Sequence, residues 1–379
     1  MNIDYQQRLE YFRQAMKRWQ VDLLFLPPGS EWHYLTGAPI PEYHFELKAP
    51  GDWVSGVWVF LEKDPVITIT DISEPFITGK TWIADIRKVP LLTNPDEELL
   101  RIFSPFTGTR KTMAIAKTTW SEAYWNFRRL LPKARVVIAS SDMLDKIHQV
   151  KDEAEIEIMK QAAAITDQAL ARTYAACSLQ MTLRDVVVEV EYQMRKAGAE
   201  GFAFTPNVVA PLVGEMVAMH HPNQPLRPGL TLAFDMGVRY HYYCSDFGRT
   251  LFVGEPTPLM LSCYASLVKA STGLTGILGD GNMTCTEACQ YVIDSIASDG
   301  YGQYHAHPGL GHGIGLDAHE SPFVFPMVND RIVKGMCLAM EPKILVPEQF
   351  YLRIEDVVWV RDSQAEFLTH YNYDPKVIS

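Results

Sequence analysis

Five side chains of this sequence combine acidic or imidazole chemistry with apolar surroundings: Asp235, Asp246, His312, Glu341 and Glu355. Asp235 falls in Leu232-Ala233-Phe234-Asp235-Met236-Gly237. Strand alternation there puts Ala233, Asp235 and Gly237 on one face and the bulky Leu232, Phe234 and Met236 on the other. The bulky face reads as core, so the carboxylate projects into a space bordered by small residues. Glu341 repeats the design, with Ala339 on its own face and Leu338 and Met340 on the opposite one. Small neighbours beside a carboxylate leave room for something to be bound.

Asp246 follows Asp235 by eleven residues, a length that suits a hairpin returning the second aspartate beside the first. Glu355 follows Glu341 by fourteen, again consistent with two adjacent strands. Alternation places Arg353 on the face of Glu355, where its guanidinium can orient a carboxylate without ligating anything. Four carboxylates brought together without cations would repel one another, and some would have to stay protonated. A pair of divalent cations removes that conflict. His312 lies among four glycines in Gly309-Leu310-Gly311-His312-Gly313-Ile314-Gly315, as expected where a loop wraps an ion through close backbone approach and unusual dihedrals. His319, seven residues on, faces the same cavity in this reading. Alone, a glycine-rich histidine segment is as readily a structural turn; beside four carboxylates it reads as a ligand.

The elements that must position these groups come in two sets. Leu9, Phe12, Met16 and Trp19 at helical spacing open the chain, followed by the apolar run Val21 to Leu26 and the break Pro27-Pro28-Gly29. Strand-like runs at Val54–Leu61, Val66–Thr70, Met113–Ala116 and Val136–Ala139 complete an α/β domain that ends near residue 145. It carries few clustered metal-binding side chains, and its role reads as structural. Trp32 and His33 read as local packing rather than as groups reaching a partner's site. The second domain opens with a helix capped by Asp152, with Glu155 completing a capping box, and a second helix spans Leu183 to Lys196 before Gly198. Short strands and turns follow from Thr231, interrupted by helical regions near Leu259–Leu278 and Thr286–Ala297. Internal duplication within this domain is too faint to see.

Composition narrows the function. The 379 residues exceed what one core usually serves, 47% are hydrophobic, and the net charge is −11 without a Lys/Arg cluster, which argues against nucleic acid. The N-terminus lacks the pattern of a signal peptide, and no apolar run is long enough to cross a bilayer. All six cysteines lie between Cys177 and Cys337 and read as reduced thiols of a cytoplasmic protein. Cys285 and Cys289, four residues apart, lack further ligands for zinc and read as buried thiols, as does Cys244.

The segments Phe234–Gly237, Ser245–Thr250, Gly311–Glu320, Met340-Glu341-Pro342 and Arg353–Asp356 resemble the signature of the pita-bread metallopeptidases. That superfamily includes aminopeptidase P, prolidase, methionine aminopeptidase and the non-peptidase creatinase. The order Asp, Asp, His, Glu, Glu and both spacings match across residues 207–369. The opening helix and the Tyr34-Leu35-Thr36-Gly37 turn are similar to the N-terminal domain of the aminopeptidase P and prolidase branch, which methionine aminopeptidases lack. The resemblance implies an α/β (α+β) chain: a creatinase-like domain over 1–147, then a pita-bread domain over 148–379 in which two α/β halves enclose a curved antiparallel sheet. It also implies a homodimer whose N-terminal domains help shape the neighbouring site. Asp235 and Asp246 would bind one metal, Asp246, His312 and Glu341 would contact the other, and Glu355 would bridge. His221 takes the position of the substrate-side histidine, with His220 as a competitor. Mn²⁺ is the first expectation for this oxygen-rich set, with Co²⁺ and Zn²⁺ as alternatives.

The reaction expected is hydrolysis of the bond before proline in a dipeptide or at a peptide's N-terminus. A hydroxide bridging the two metals attacks, Glu341 acts as general base, and His221 and His319 hydrogen-bond the oxyanion or a substrate carboxylate. Departures from the branch concern the substrate side. Lys343 stands where a glycine usually follows Glu341-Pro342, a tyrosine is missing after it, Tyr351-Leu352 replaces Gly-Val, and Pro308-Gly309 adds a residue between His307 and His312. His305 and His307 are candidates to line the pocket. Two alternatives stay open: an enzyme of the same fold acting on a small non-peptide substrate such as a modified amino acid, an osmolyte or a creatine-like C–N bond, and a metal-free binding module.

Overall fold

In the computed structural model, residues 3–40, 49–104, 106, 110–212, 215–217, 223–306 and 308–378 are described, with 211–212 and 215–217 described by their backbone. The chain divides into two compact units, Met1–His148 and Gln149–Ser379. No helix among the described residues is long and apolar enough to cross a membrane. The mixed α/β architecture implied by the resemblance is the one observed.

The first unit opens with helix Tyr5–Arg18, whose start is capped by Asp4 accepting from the Gln7 backbone N–H at 3.0 Å. Leu9, Phe12 and Met16 are buried, whereas Trp19 lies past the last turn and is 44% exposed, so it does not extend the apolar stripe. Among the described residues six strands form one sheet: β1 (Leu23–Leu26), β2 (Gly56–Phe60), β3 (Val66–Thr70), β4 (Asp85–Val89), β5 (Thr112–Ile115) and β6 (Arg135–Ile138). Their order is β4-β3-β2-β1-β5-β6, parallel except where β2 pairs with β1 and β3. Strand β4 escapes sequence reading because it is an edge strand whose Asp85, Arg87 and Lys88 are not buried. Phe25, Trp58, Phe103 and Phe127 interlock on the sheet, mostly edge to face. Trp32 is fully buried and donates to the Pro39 carbonyl at 3.2 Å, and His33 Nδ1 lies 2.8 Å from the Ala38 carbonyl.

In the second unit, two halves each pair helices with a sheet, antiparallel except where strand Lys376–Ile378 runs parallel to Thr250–Val253. Helices Glu153–Ala176 and Leu183–Ala197 pack through Ala162, Leu170, Val186 and Val190 on strands Asn207–Leu212, Thr231–Asp235 and Thr250–Val253. The capping box of Asp152 and Glu155 starts the first helix, and Gly198 in the left-handed region ends the second. Helices Pro258–Thr275 and Cys285–Ser298 pack through Leu267, Leu274, Cys289 and Val292 against the other sheet. Its strands run in the order Glu320–Val324, Gly311–Gly313, Cys337–Met340, Asp356–Val360, Ala365–Phe367, all antiparallel. The repetition that sequence conceals is plain in this layout. All six cysteines are free and buried, and burial pushes the Cys285 thiol up to about 12 and that of Cys289 to about 11, so both are inert packing groups.

A buried ion pair pins the sheet where the acids emerge. Arg249 reaches Asp356 with both terminal nitrogens, at 2.8 and 3.1 Å, and also donates to the carbonyls of Gly248, Glu355 and Tyr371. Asp356 further accepts from Thr369 and Tyr373, each at 2.8 Å, and the guanidinium lies between the Phe247 and Tyr373 rings. With every polar position satisfied, the pair tolerates full burial; with one partner gone, the other is left charged and dry. We expect Asp356→Ala to lower the unfolding free energy by about 3–5 kcal/mol, read from denaturant unfolding. A loss below about 1 kcal/mol, the size of an exposed pair, would contradict this account.

Candidate metal centre

The five acids and imidazoles are brought together by sheet register. Asp235 ends strand Thr231–Asp235, and the bridge Met236↔Phe247 closes the hairpin that returns Asp246. Glu341 and Glu355 sit just beyond the paired residues Met340↔Asp356, one at the end of its strand and the other before its strand begins. His312 pairs with Ala339, so its imidazole shares the face of Ala339 and Glu341. Gly248, bridged to Glu355, supplies the close approach between the two pairs of acids. A Cβ there would sit 2.6 Å from the Phe234 carbonyl and 3.4 Å from the Glu355 carboxylate.

The glycines around His312 act by proximity alone. None of them adopts a positive φ, contrary to the unusual dihedrals expected from sequence. A Cβ on Gly311 would stand 1.9 Å from the Ala339 carbonyl, so only glycine lets the histidine strand lie this close to its neighbour.

Among the described residues three donor sets overlap: Asp235, Asp246 and Glu355; His312, Glu341 and Glu355; and Asp246, His312 and His319, each with donor atoms within 4.8 Å of one another. Asp246, His312 and Glu355 are buried, and His319 is exposed. Oδ1 of Asp246 and Oε1 of Glu355 are buried without a hydrogen-bond partner, which costs free energy unless something else satisfies them. His312 Nδ1 lies 3.0 Å from the Gly313 carbonyl, which favours the Nδ1–H tautomer and turns the Nε2 lone pair toward Asp246, 3.6 Å away. The His319 ring lies 4.0 Å from that of His312. A buried Lys151–Glu320 pair at 2.8 Å anchors the segment behind it, since Glu320 also accepts from the Asp317 backbone.

Arg353 is placed at the centre of the acids. Its guanidinium binds the carboxylates of Asp235 and Glu355 and lies 2.9 Å from that of Glu341. Lys343 adds a second cation, 2.6 Å from Glu341 Oε2. That contact is invisible in sequence, where Lys343 stands out only as a departure; strand alternation from the buried Ile344 is the signal that could have found it. Of the other histidines, His305 is half-buried and bridges to Ile344, while His220, His221 and His307 lie outside the described residues.

These contacts divide the titrations. Burial pushes Asp246 well above the usual carboxylate range, reinforced by Glu355 and Asp235. Burial likewise takes Glu355 up to about 8 against the opposing pull of Arg353. Burial also works to raise Glu341, but Arg353 and Lys343 outweigh it and hold this carboxyl below its ordinary value. His312 is pushed down to about 4 by burial and by His319, so it stays neutral.

Asp246 and Glu355 hold protons in the folded metal-free chain that the unfolded chain releases, so stability falls as pH rises toward about 8. His312 acts oppositely, but only between about 4 and its ordinary 6.5. Between pH 6.5 and about 8 the metal-free protein should therefore lose thermal stability, and excess Mn²⁺ should abolish the decline. Melting curves at stepped pH with chelator and with Mn²⁺ check this; parallel profiles would contradict it.

The model of metallopeptidase family M24 matches residues 157–362. An uncharacterized peptidase of Staphylococcus epidermidis is 32% identical over 228 residues, 59% of this chain and 64% of that protein. An Xaa-Pro dipeptidase of Pyrococcus furiosus is 31% identical over 231 residues, 60% of this chain and 65% of that protein. The chain thus spans a little under two thirds of the length of these two relatives. The solved structure of an Xaa-Pro dipeptidase from Bacillus anthracis superposes with a TM-score of 0.86 at 24% identity, over 99% of this chain and 100% of the other, a likeness of fold. With its acids, imidazoles and strand register inside the matched segment, the chain belongs to metallopeptidase family M24.

Proposed function

We propose that this protein is a dinuclear metal-dependent hydrolase that cleaves the bond before proline, as an Xaa-Pro dipeptidase or Xaa-Pro aminopeptidase. The observation that carries the reading is the overlap of the donor sets. Asp246, His312 and Glu355 each belong to two of them, and unpartnered oxygens of both acids are buried among them. Asp235, Asp246 and Glu355 would hold one cation; His312 and Glu341 would hold the other, with Asp246 and Glu355 shared. An oxygen-rich set with an imidazole suits Mn²⁺ first, then Co²⁺ or Zn²⁺. Bound there, the cations would polarise the scissile carbonyl and lower the pKa of water.

The chain's own groups supply the rest. Glu341, kept ionised by its cationic neighbours, takes a proton from the attacking water and passes it to the leaving amine. Arg353 holds Asp235, Glu341 and Glu355 in place and takes no proton itself. His319, exposed beside the neutral His312, donates to the oxyanion or to a substrate carboxylate. His221 is assigned the same task. We further propose a homodimer and a cytoplasmic location, the latter supported by the six free cysteines. The contact of Lys343 with Glu341 keeps a second reading in view, a small non-peptide substrate handled by the same centre.

Metal analysis of the purified protein with Gly-Pro, Ala-Pro and a non-proline dipeptide separates the readings. Bound cation with proline-selective cleavage is expected; bound cation with no dipeptide cleavage would favour the non-peptide substrate. Asp246→Ala should lose turnover by on the order of a thousandfold, the effect of removing a principal electrostatic stabiliser. Retained turnover in that variant would overturn the mechanism.

A further inference from the structure

The hairpin of strands Lys343–Val346 and Phe350–Arg353 has two unlike faces. Its register pairs Lys343 with Arg353 and Leu345 with Tyr351, so these side chains share one face. Ile344, Val346, Phe350 and Leu352 share the other and are buried in the core of their half. With that apolar face buried, Lys343 stands on the face of Arg353, beside the acids. Its ammonium sits 2.6 Å from Glu341 Oε2, each side chain being 17% exposed. Arg353 is committed to Asp235 and Glu355 as well as Glu341, whereas the ion pair of Lys343 among the described residues is with Glu341.

Charge counting decides what Lys343 does in the loaded protein. Asp235, Asp246, Glu341 and Glu355 contribute four negative charges when ionised, and Arg353 and Lys343 two positive ones, a deficit of two. A pair of divalent cations turns that deficit into an excess of two positive charges. A cation at Glu341 takes over the neutralisation of that carboxylate and repels the ammonium. The lysine cannot withdraw into the apolar side of its hairpin, because a charge there would be unpaired and dry. It is left facing the cleft with a requirement for an anion.

We propose that Lys343 is a specificity-determining residue: released from Glu341 on metal loading, its ammonium receives a carboxylate of the substrate. The enzyme then selects small acids, such as a dipeptide with a free terminus, over their neutral counterparts. This rests on the two-cation reading above and adds the group that chooses the substrate.

The test uses the full chain loaded with Mn²⁺, as wild type, Lys343→Met and Lys343→Arg, with thermal unfolding to show that each is folded. Acetate is titrated calorimetrically, and kcat/KM is measured for Ala-Pro and for Ala-Pro amide. Loaded wild type and Lys343→Arg should bind acetate at least about tenfold more tightly than Lys343→Met, the effect of one hydrogen bond to a charged group. In the metal-free protein, where Glu341 occupies the ammonium, wild type and Lys343→Met should not differ. The acid-to-amide ratio should fall by about tenfold in Lys343→Met, through KM. Equal acetate affinities in loaded wild type and Lys343→Met would overturn the proposal, as would an unchanged ratio where both substrates are cleaved. Should wild type cleave neither substrate while the acetate difference stands, the peptidase reading fails and the role of Lys343 survives.

Discussion

Everything in the second unit answers to one electrostatic constraint: several carboxylates must share a small, largely buried volume. Asp246 and Glu355 are both buried, with Asp235 and Glu341 within reach of the same centre. Charges so close and so poorly solvated persist only with countercharge or with protons. The metal-free chain uses both. Arg353 reaches three of the acids and Lys343 reaches one, while Asp246 and Glu355 are driven toward the protonated form. The site is therefore held together in a way that divalent cations would improve.

The scaffold that imposes this crowding must be stiff, because each acid would gain by moving apart. Stiffness comes from the Arg249–Asp356 pair beside Glu355, where the acids emerge, and from apolar packing of the helices on the sheets. Closeness comes from glycine. Gly248 lets Glu355 lie beside the strand carrying Asp235, and Gly311 lets His312 lie beside the strand that leads to Glu341. A methyl group at either place would collide with backbone, which cannot yield as a flexible side chain can.

Position also gives chemically similar groups different character. Glu341 and Glu355 belong to one donor set, yet Glu355 is pushed up to about 8 while Glu341 is held low. The difference lies first in burial, complete for Glu355 and partial for Glu341, and then in contact: Lys343 and Arg353 both pair directly with Glu341, whereas Glu355 pairs with Arg353. Two carboxyls driven apart in this way are suited to different tasks, one to hold a ligand in a dry place and one to exchange protons at the cleft.

Much of this was legible in the sequence, and for identifiable reasons. The alternation around Asp235 and Glu341 marked each as a carboxylate with a bulky buried back, because strand period is a local property. The eleven- and fourteen-residue spacings bounded the hairpins, and the caps at Asp152 and Gly198 were read from side-chain chemistry within one helical turn. Local rules failed where neighbours in space decide. Strand β4 is too polar to read as a strand because only its pairing with β3 makes it one. The glycines near His312 looked like sites of unusual dihedrals, but the Ala339 carbonyl, not φ, excludes a side chain there. Lys343 was visible only as an unexpected residue; its contact with Glu341 depends on which hairpin face the core claims. Residue type and spacing thus determined which groups carry the chemistry and which way each strand presents them. Their convergence, and hence which acid is ionised and which cation answers it, was decided by tertiary structure, because distance and desolvation depend on residues far away in the chain.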